Sequence, residues 1–182
     1  DLTPLVSVEA RKNKLTWSTH SEVGDTAMAT VNPVFMHQAL LNLVVNAIKY
    51  TPEGGSVSVT LRSSTENNSQ RGPVTDSDSP QPRSEVPRLG AGSPIGATPL
   101  VPMQGYVFEV TDTGAGIPAE SLEKIWEPFY TTGNHKGVSH NVGLGLAFVK
   151  NVMTQHHGTI TIDSEVGRGT TFRLWVPALH SP

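Results

Sequence analysis

Between Ser63 and Gln104 the chain carries seven prolines, abundant serine and glycine, and no Phe, Trp or Tyr. Such a segment cannot bury enough apolar surface to offset the entropy of ordering it, so it reads as a long, largely disordered insertion. Everything that folds must therefore come from the two flanks. Val57, Val59 and Leu61 alternate before the insertion, and Tyr106, Phe108 and Val110 alternate after it, which is the period of half-buried strands. The pattern predicts neighbouring strands joined by an overgrown hairpin connection. The whole of 1–182 is then one domain interrupted over 63–104.

The flanks supply the remaining elements. Leu5–Val8 and Lys14–Trp17 are short strand candidates. Asn32 can cap a helix whose first residue is Pro33, and Met36, Ala39, Leu40, Leu43, Val44, Ala47 and Ile48 recur at helical spacing behind it. This helix should end near Thr51-Pro52, because proline disfavours helical geometry in the residue before it. Past Asp112 a glycine-rich turn leads to a predicted short helix over Pro118–Trp126, stopped by Pro128. The Gly, Asn, His and Ser residues of 131–141 read as a mobile loop. A further helix is expected to start around Val142–Leu144, carry Leu146, Val149, Val152 and Met153 inward, and stop at Gly158. Thr159–Ser164 and Thr170–Val176 alternate on either side of Glu165-Val-Gly-Arg-Gly169, a hairpin signature. This order predicts an α+β fold, a two-layer α/β sandwich with one mixed sheet covered by helices on one face.

Composition narrows the function. A net charge of −3 and a pI near 6.2 leave no basic footprint for nucleic acid. With no cysteine there are neither disulfides nor thiolate metal sites. No apolar run approaches the length of about eighteen residues that a membrane helix needs, so no membrane contact by this segment is expected. The absence of a start methionine suggests a segment of something longer, with any anchor outside it.

Several short motifs carry chemistry. Asn42, Asn46 and Lys49 are four and three residues apart and form one polar stripe on the first long helix. Asn carbonyl oxygens are hard ligands suited to Mg²⁺, and Lys49 can meet a phosphate as a point charge. Tyr50 offers an aromatic face. Asp112 ends a strand and is followed by Thr113-Gly114-Ala115-Gly116, so a carboxylate able to accept from an exocyclic amine sits beside backbone that a ligand can approach closely. Gly143-Leu144-Gly145 opens a helix, where free N–H groups and the dipole favour phosphate. Lys136 in the preceding loop is a candidate phosphate contact, and Thr170 and Thr171 are candidates to reach the base directly or through water. Each motif alone also has a plain structural reading as a solvated helix face, a turn, a packing glycine pair or a strand former. His156 and His157 point in different directions on a helix with no carboxylate at zinc spacing. No P-loop, dinucleotide fingerprint, His-Arg-Asp segment or Gly-x-Ser-x-Gly occurs.

Jointly, these segments resemble the ATP-binding catalytic domain of sensor histidine kinases, in the superfamily that also holds gyrase, mismatch-repair and heat-shock chaperone ATPases. The N box corresponds to Asn42–Thr51, the first glycine box to Asp112–Gly116, the F box to Trp126–Thr132 and the second glycine box to Gly143–Ala147. The resemblance implies a Bergerat-type fold with a mobile ATP lid. It implies that Asn46 binds Mg²⁺ with help from Asn42, that Lys49 contacts phosphate, that Tyr50 packs near the nucleotide and that Asp112 reads the adenine amine. Gly114, Gly116, Ile117, Gly143, Leu144, Gly145, Leu146 and Thr171 complete the expected nucleotide contacts, and Phe129 would tie the lid to the domain. Hydrolysing relatives place a Glu where Asn42 stands, so transfer to another acceptor is favoured over hydrolysis. The expected partners are a phosphoacceptor helical hairpin of the same full-length kinase and the receiver domain of a response regulator, in the cytoplasm. Alternatives are a clamp-type ATPase, an anti-sigma serine kinase and a non-enzymatic nucleotide sensor.

Overall fold

The computed structural model describes residues 3–24, 27–66, 103–131 and 142–179. In chain order these form α1 (Thr3–Lys12), β1 (Thr16–Ser21), α2 (Pro33–Tyr50), β2 (Ser56–Glu66), β3 (Met103–Asp112), α3 (Gly145–Gln155), β4 (Thr159–Glu165) and β5 (Gly169–Pro177). The five strands make one open sheet in the order β1-β2-β3-β5-β4. β1 runs parallel to β2 and every other pair is antiparallel, so the sheet is mixed.

The core lies between one face of this sheet and the helices. From the sheet come Val57, Val110, Phe172, Leu174 and Val176, and from α2 come Met36, Ala39, Leu40, Leu43, Val44, Ala47 and Ile48. Val149, Val152 and Met153 of α3 close the layer beside α2. The apolar stripe of α2 is thus buried, and its Asn42–Asn46 edge is left half-buried beside it.

α2 begins as its sequence predicts. The Asn32 side chain accepts from the N–H groups of Val34 and Phe35 at 3.0 and 3.2 Å, and Pro33 occupies the first helical position. At the other end the Thr51 hydroxyl donates to the Ala47 carbonyl at 2.6 Å before Pro52 forbids another turn. The Asn32 N–H in turn donates to His156 Nε2 at 2.7 Å, tying the start of α2 to the end of α3. Asn32→Ala should cost about 1 kcal/mol of unfolding free energy in a urea titration, because it leaves the first N–H groups of α2 without their acceptor.

Four expectations need correction. Leu5–Val8 lies in α1 and not in a strand, because Val6 and Ala10, four residues apart, are both buried and turn one helical face onto the core. The strand expected at Lys14–Trp17 starts at Thr16 and runs on to Ser21. The helix expected over Pro118–Trp126 is two 3₁₀ turns, Ala119–Ser121 and Lys124–Trp126, since the span between Pro118 and Pro128 is too short to propagate an α-helix. The β2–β3 ladder also reaches further than the alternation suggests, pairing Ser63 with Tyr106 and continuing to Glu66 opposite Met103. Ser63–Glu66 and Met103–Gln104 therefore belong to the sheet, and the rest of the insertion, 67–102, lies outside the described residues.

Candidate functional site

Asp112 is the last residue of β3 and is 8% exposed. Its Oδ1 accepts the Gly114 N–H at 2.7 Å, which curls the chain into the glycine turn. Burial pushes the carboxyl above its ordinary range, opposed by backbone hydrogen bonds from Gly114 and Thr170 that favour the ionised form. The turn is clamped on both sides. Ala115 donates to the Tyr50 carbonyl at 3.1 Å, and the Ala115 carbonyl accepts from Gly167 at 2.8 Å. The end of α2 and the β4–β5 hairpin thus hold Asp112 between them.

Two glycines are required for this arrangement. Gly116 has φ +70°, and a Cβ there would lie 2.1 Å from the Glu165 carbonyl oxygen. Gly169 has φ +116°, and a Cβ there would lie 2.0 Å from the carbonyl oxygen of Asp112 itself. A side chain at Gly116 forces the end of β4 away from the glycine turn, and one at Gly169 forces the start of β5 away from Asp112.

Between α2, this turn and the start of α3 lies a cavity of about 400 Å³. Asn42, Asn46 and Tyr50 line it from α2, while Asp112, Gly116 and Ile117 line it from the turn. Gly143, Leu144, Gly145 and Leu146 form the opposite rim. No side chain caps the start of α3, so its first-turn N–H groups are available to an anion. A Cβ on Gly145 would sit 3.8 Å from Asn42, so this helix start and the amide stripe adjoin one another. Asp112 is the one carboxylate among the described residues lining the cavity, and no Lys or Arg lines it there.

The structure thus brings together Asn42, Asn46, Tyr50, Asp112, Gly116, Ile117 and Gly143–Leu146. Four expected site residues lie elsewhere among the described residues. Lys49 does not line the cavity and carries its ammonium 5.0 Å from the centre of the Tyr50 ring. Gly114 is packed behind the wall, where a Cβ would lie 2.6 Å from the Tyr50 carbonyl oxygen. Phe129 points outward, 70% exposed, while its N–H donates to the Gly143 carbonyl at 2.9 Å. Thr171 faces the other side of the sheet, its hydroxyl 3.1 Å from that of Thr111. Lys136 lies outside the described residues.

Thr170, not Thr171, is the threonine on the cavity, 6% exposed and directly across the ladder from Asp112. The period-2 rule separates the two, since Phe172 and Leu174 share the inward face with Thr170. Ile125 and Phe172 also line the cavity and no motif pointed to them, while Tyr130 lines it from within the F-box segment, where no role was expected of it. The Tyr130 hydroxyl donates to Ser121 at 3.1 Å and is held by that bond.

Residues 95–180 match the family described as histidine kinase-, DNA gyrase B- and HSP90-like ATPase. The similarity extends further upstream in individual proteins. Sensor kinase CckA of Brucella abortus is 40% identical over 142 residues, 78% of this chain and 12% of that protein. The chain belongs to this ATPase family. Other relatives are the heme sensor protein HssS of Staphylococcus saprophyticus, 35% identical over 82% of this chain and 24% of that protein, and the sensor histidine kinase ZraS of Escherichia coli, 34% identical over 80% and 22%. The chain therefore spans less than a quarter of the length of each of these sensor kinases.

Solved structures show the same ATPase fold. The catalytic domain of histidine kinase ThkA superposes with a TM-score of 0.63 at 21% identity, covering 97% of this chain and 86% of that one. Full-length ShkA in complex with AMPPNP superposes with a TM-score of 0.64 at 21% identity, covering 99% of this chain and 29% of that one. The open mixed sheet with helices on one face, expected from the order of elements, is the histidine-kinase catalytic-domain architecture. Asp112, the glycine turn and the start of α3 fall inside the matched family span, whereas Asn42 and Asn46 reach the site through the packing of α2.

Proposed function

We propose that this domain binds ATP with Mg²⁺ and presents the γ-phosphate to a histidine on a separate helical hairpin of a longer kinase. The observation that carries the reading is that Asp112, the Asn42–Asn46 stripe and the uncapped start of α3 all face one cavity. A buried carboxylate acceptor suits an exocyclic amine, and the N–H groups of a helix start suit phosphate. The AMPPNP bound in the ShkA structure supports a nucleotide in a fold of this kind.

The donor set fits Mg²⁺ shared with a nucleotide. Asn42 and Asn46 offer hard amide oxygens on adjacent turns, and Mg²⁺ commonly takes one or two protein oxygens while keeping waters and phosphates. Among the described residues no cluster of three His, Cys, Asp or Glu would form an all-protein cage. When bound, the ion neutralises charge on the phosphates. The protein's own contribution is to orient the base at Asp112, to hold the phosphates at the start of α3, and to exclude water behind Tyr130 and Leu146.

Asn42 supports transfer over hydrolysis. It stands one helical turn before Asn46, its Oδ1 accepting from Gln38 at 3.4 Å, and it has no carboxylate with which to take a proton from water. In the longer protein the phosphoryl group would pass from the histidine to a response-regulator receiver domain. Among the described residues no helix is long and apolar enough to cross a membrane. An ATP-dependent role supports a cytoplasmic location for this domain. Radiolabelled ATP given to the full-length parent protein should yield acid-labile, base-stable phosphate on histidine. Label on serine, or free phosphate released without any labelled protein, would contradict the assignment.

We also propose that 67–102 is an insertion dispensable to the site. Since the ladder closes at Glu66 opposite Met103, a short turn can replace it. The shortened chain should keep its ATP affinity within about twofold and gain up to about 2 kcal/mol of stability from cheaper loop closure. Loss of the cooperative melting transition would show that the insertion is structural.

A further inference from the structure

Beside the cavity stands a hydroxyl that none of the roles above uses. Ser164 on β4 accepts the Ile117 N–H at 2.8 Å and lies 2.9 Å from Thr170 Oγ1 and 3.2 Å from the Gly169 carbonyl. It does not itself line the cavity, but Ile117 and Thr170 both do. A serine hydroxyl has one proton and two lone pairs, and the Ile117 N–H occupies one of those pairs. Two arrangements of the rest are then open. With the Ser164 proton on the Gly169 carbonyl, Thr170 donates to Ser164 and shows the cavity only lone pairs. With the Ser164 proton on Thr170, the Thr170 proton is released toward the cavity.

In the second arrangement the site presents an acceptor at Asp112 beside a donor at Thr170, on residues paired directly across the β3–β5 ladder. Adenine offers the matching edge, an exocyclic amine that donates beside a ring nitrogen that accepts. Guanine offers the reverse, a carbonyl oxygen and a ring N–H. A chain of hydroxyls that polarise one another also strengthens the terminal bond. Resting on the ATP reading above, we propose that Ser164 is a positioning residue for base recognition, hydrogen-bonding Thr170 so that Thr170 donates to the purine ring nitrogen next to the amine accepted by Asp112.

The test compares affinities for ATP, for 1-deaza-ATP, in which that ring nitrogen is replaced by C–H, and for inorganic tripolyphosphate. The wild-type chain should prefer ATP to 1-deaza-ATP by about three- to tenfold, the worth of one neutral hydrogen bond. Ser164→Ala should shrink the ratio to within about twofold, Ser164→Thr should restore it, and tripolyphosphate should bind all variants equally. In a Thr170→Val background Ser164→Ala should remove nothing further. Should Ser164→Ala fail to fold, Ser164→Cys keeps the shape but donates weakly, and carries the same expectation. An unchanged ratio in the folded variant would overturn the proposal, as would a parallel loss of tripolyphosphate binding, which signals general loosening. Failure of the wild type to bind ATP at all would instead remove the functional reading on which the proposal stands.

Discussion

Asp112→Asn should weaken ATP binding by about ten- to a hundredfold and, in the same protein, raise the melting temperature at neutral pH. The first effect follows from replacing a charge-assisted acceptor, worth about 1.5–3 kcal/mol in a closed site, by an amide whose NH₂ faces the donating amine of adenine. The second follows from burial. Desolvation lifts the folded-state pKa of Asp112 above its unfolded value, so the protonated form is the one that folding favours. The stability linked to this group is complete below the ordinary carboxylate range and is lost as pH rises through the raised folded value. At neutral pH the wild type therefore holds a buried charge at a cost, which the neutral Asn removes. The stability gap between variant and wild type should close as the medium is acidified. ATP affinity of the wild type should fall over the same acidic interval, because the amine needs the ionised acceptor, while that of Asp112→Asn stays flat. Tripolyphosphate, which has no base, should bind both proteins alike. A variant that melts lower than wild type at neutral pH, or that loses tripolyphosphate as much as ATP, would show that Asp112 holds up the turn and does not read the base.

Asn46→Ala should reduce phosphoryl transfer by the full-length kinase on the order of 100- to 1000-fold, the scale seen when one preorganised electrostatic contact to the transition state is removed. Its side chain is half-buried on the cavity edge of α2, outside the core stripe, so the melting transition should move little. The separating measurement is a magnesium titration. Wild-type nucleotide affinity should rise with Mg²⁺, and in Asn46→Ala that gain should largely vanish. An intact magnesium response would remove Asn46 from the role of ligand and leave it as a polar residue on a solvated helix face.

The sequence made α2 legible because its boundaries are set locally, by Asn32 and Pro33 at one end and Thr51-Pro52 at the other, while its apolar period states which face is buried. Asp112 and its glycines were legible only jointly with the other segments, since Asp-x-Gly-x-Gly alone is also a good turn sequence. What escaped depends on contacts between elements. Leu5–Val8 resembles a strand until Val6 and Ala10 are seen packed together in the core. Lys49 stands at helical spacing from Asn46, yet its side chain carries the ammonium to the Tyr50 ring and it does not line the cavity. Thr170 and Thr171 were separable by strand alternation alone, because Phe172 is inward. Ile125 and Tyr130 reach the cavity through a 3₁₀ turn and an irregular segment, neither of which has a period that could announce a facing direction.

Calorimetric titration of the chain with a non-hydrolysable ATP analogue and Mg²⁺ tests most directly whether the helix amides, the buried carboxylate and the glycine-opened helix start form one nucleotide site. A single site of one-to-one stoichiometry is expected, weakened by Asp112→Asn through the base and by Asn46→Ala through magnesium. Saturable binding that neither substitution disturbs, or no binding heat from the folded chain, would contradict it.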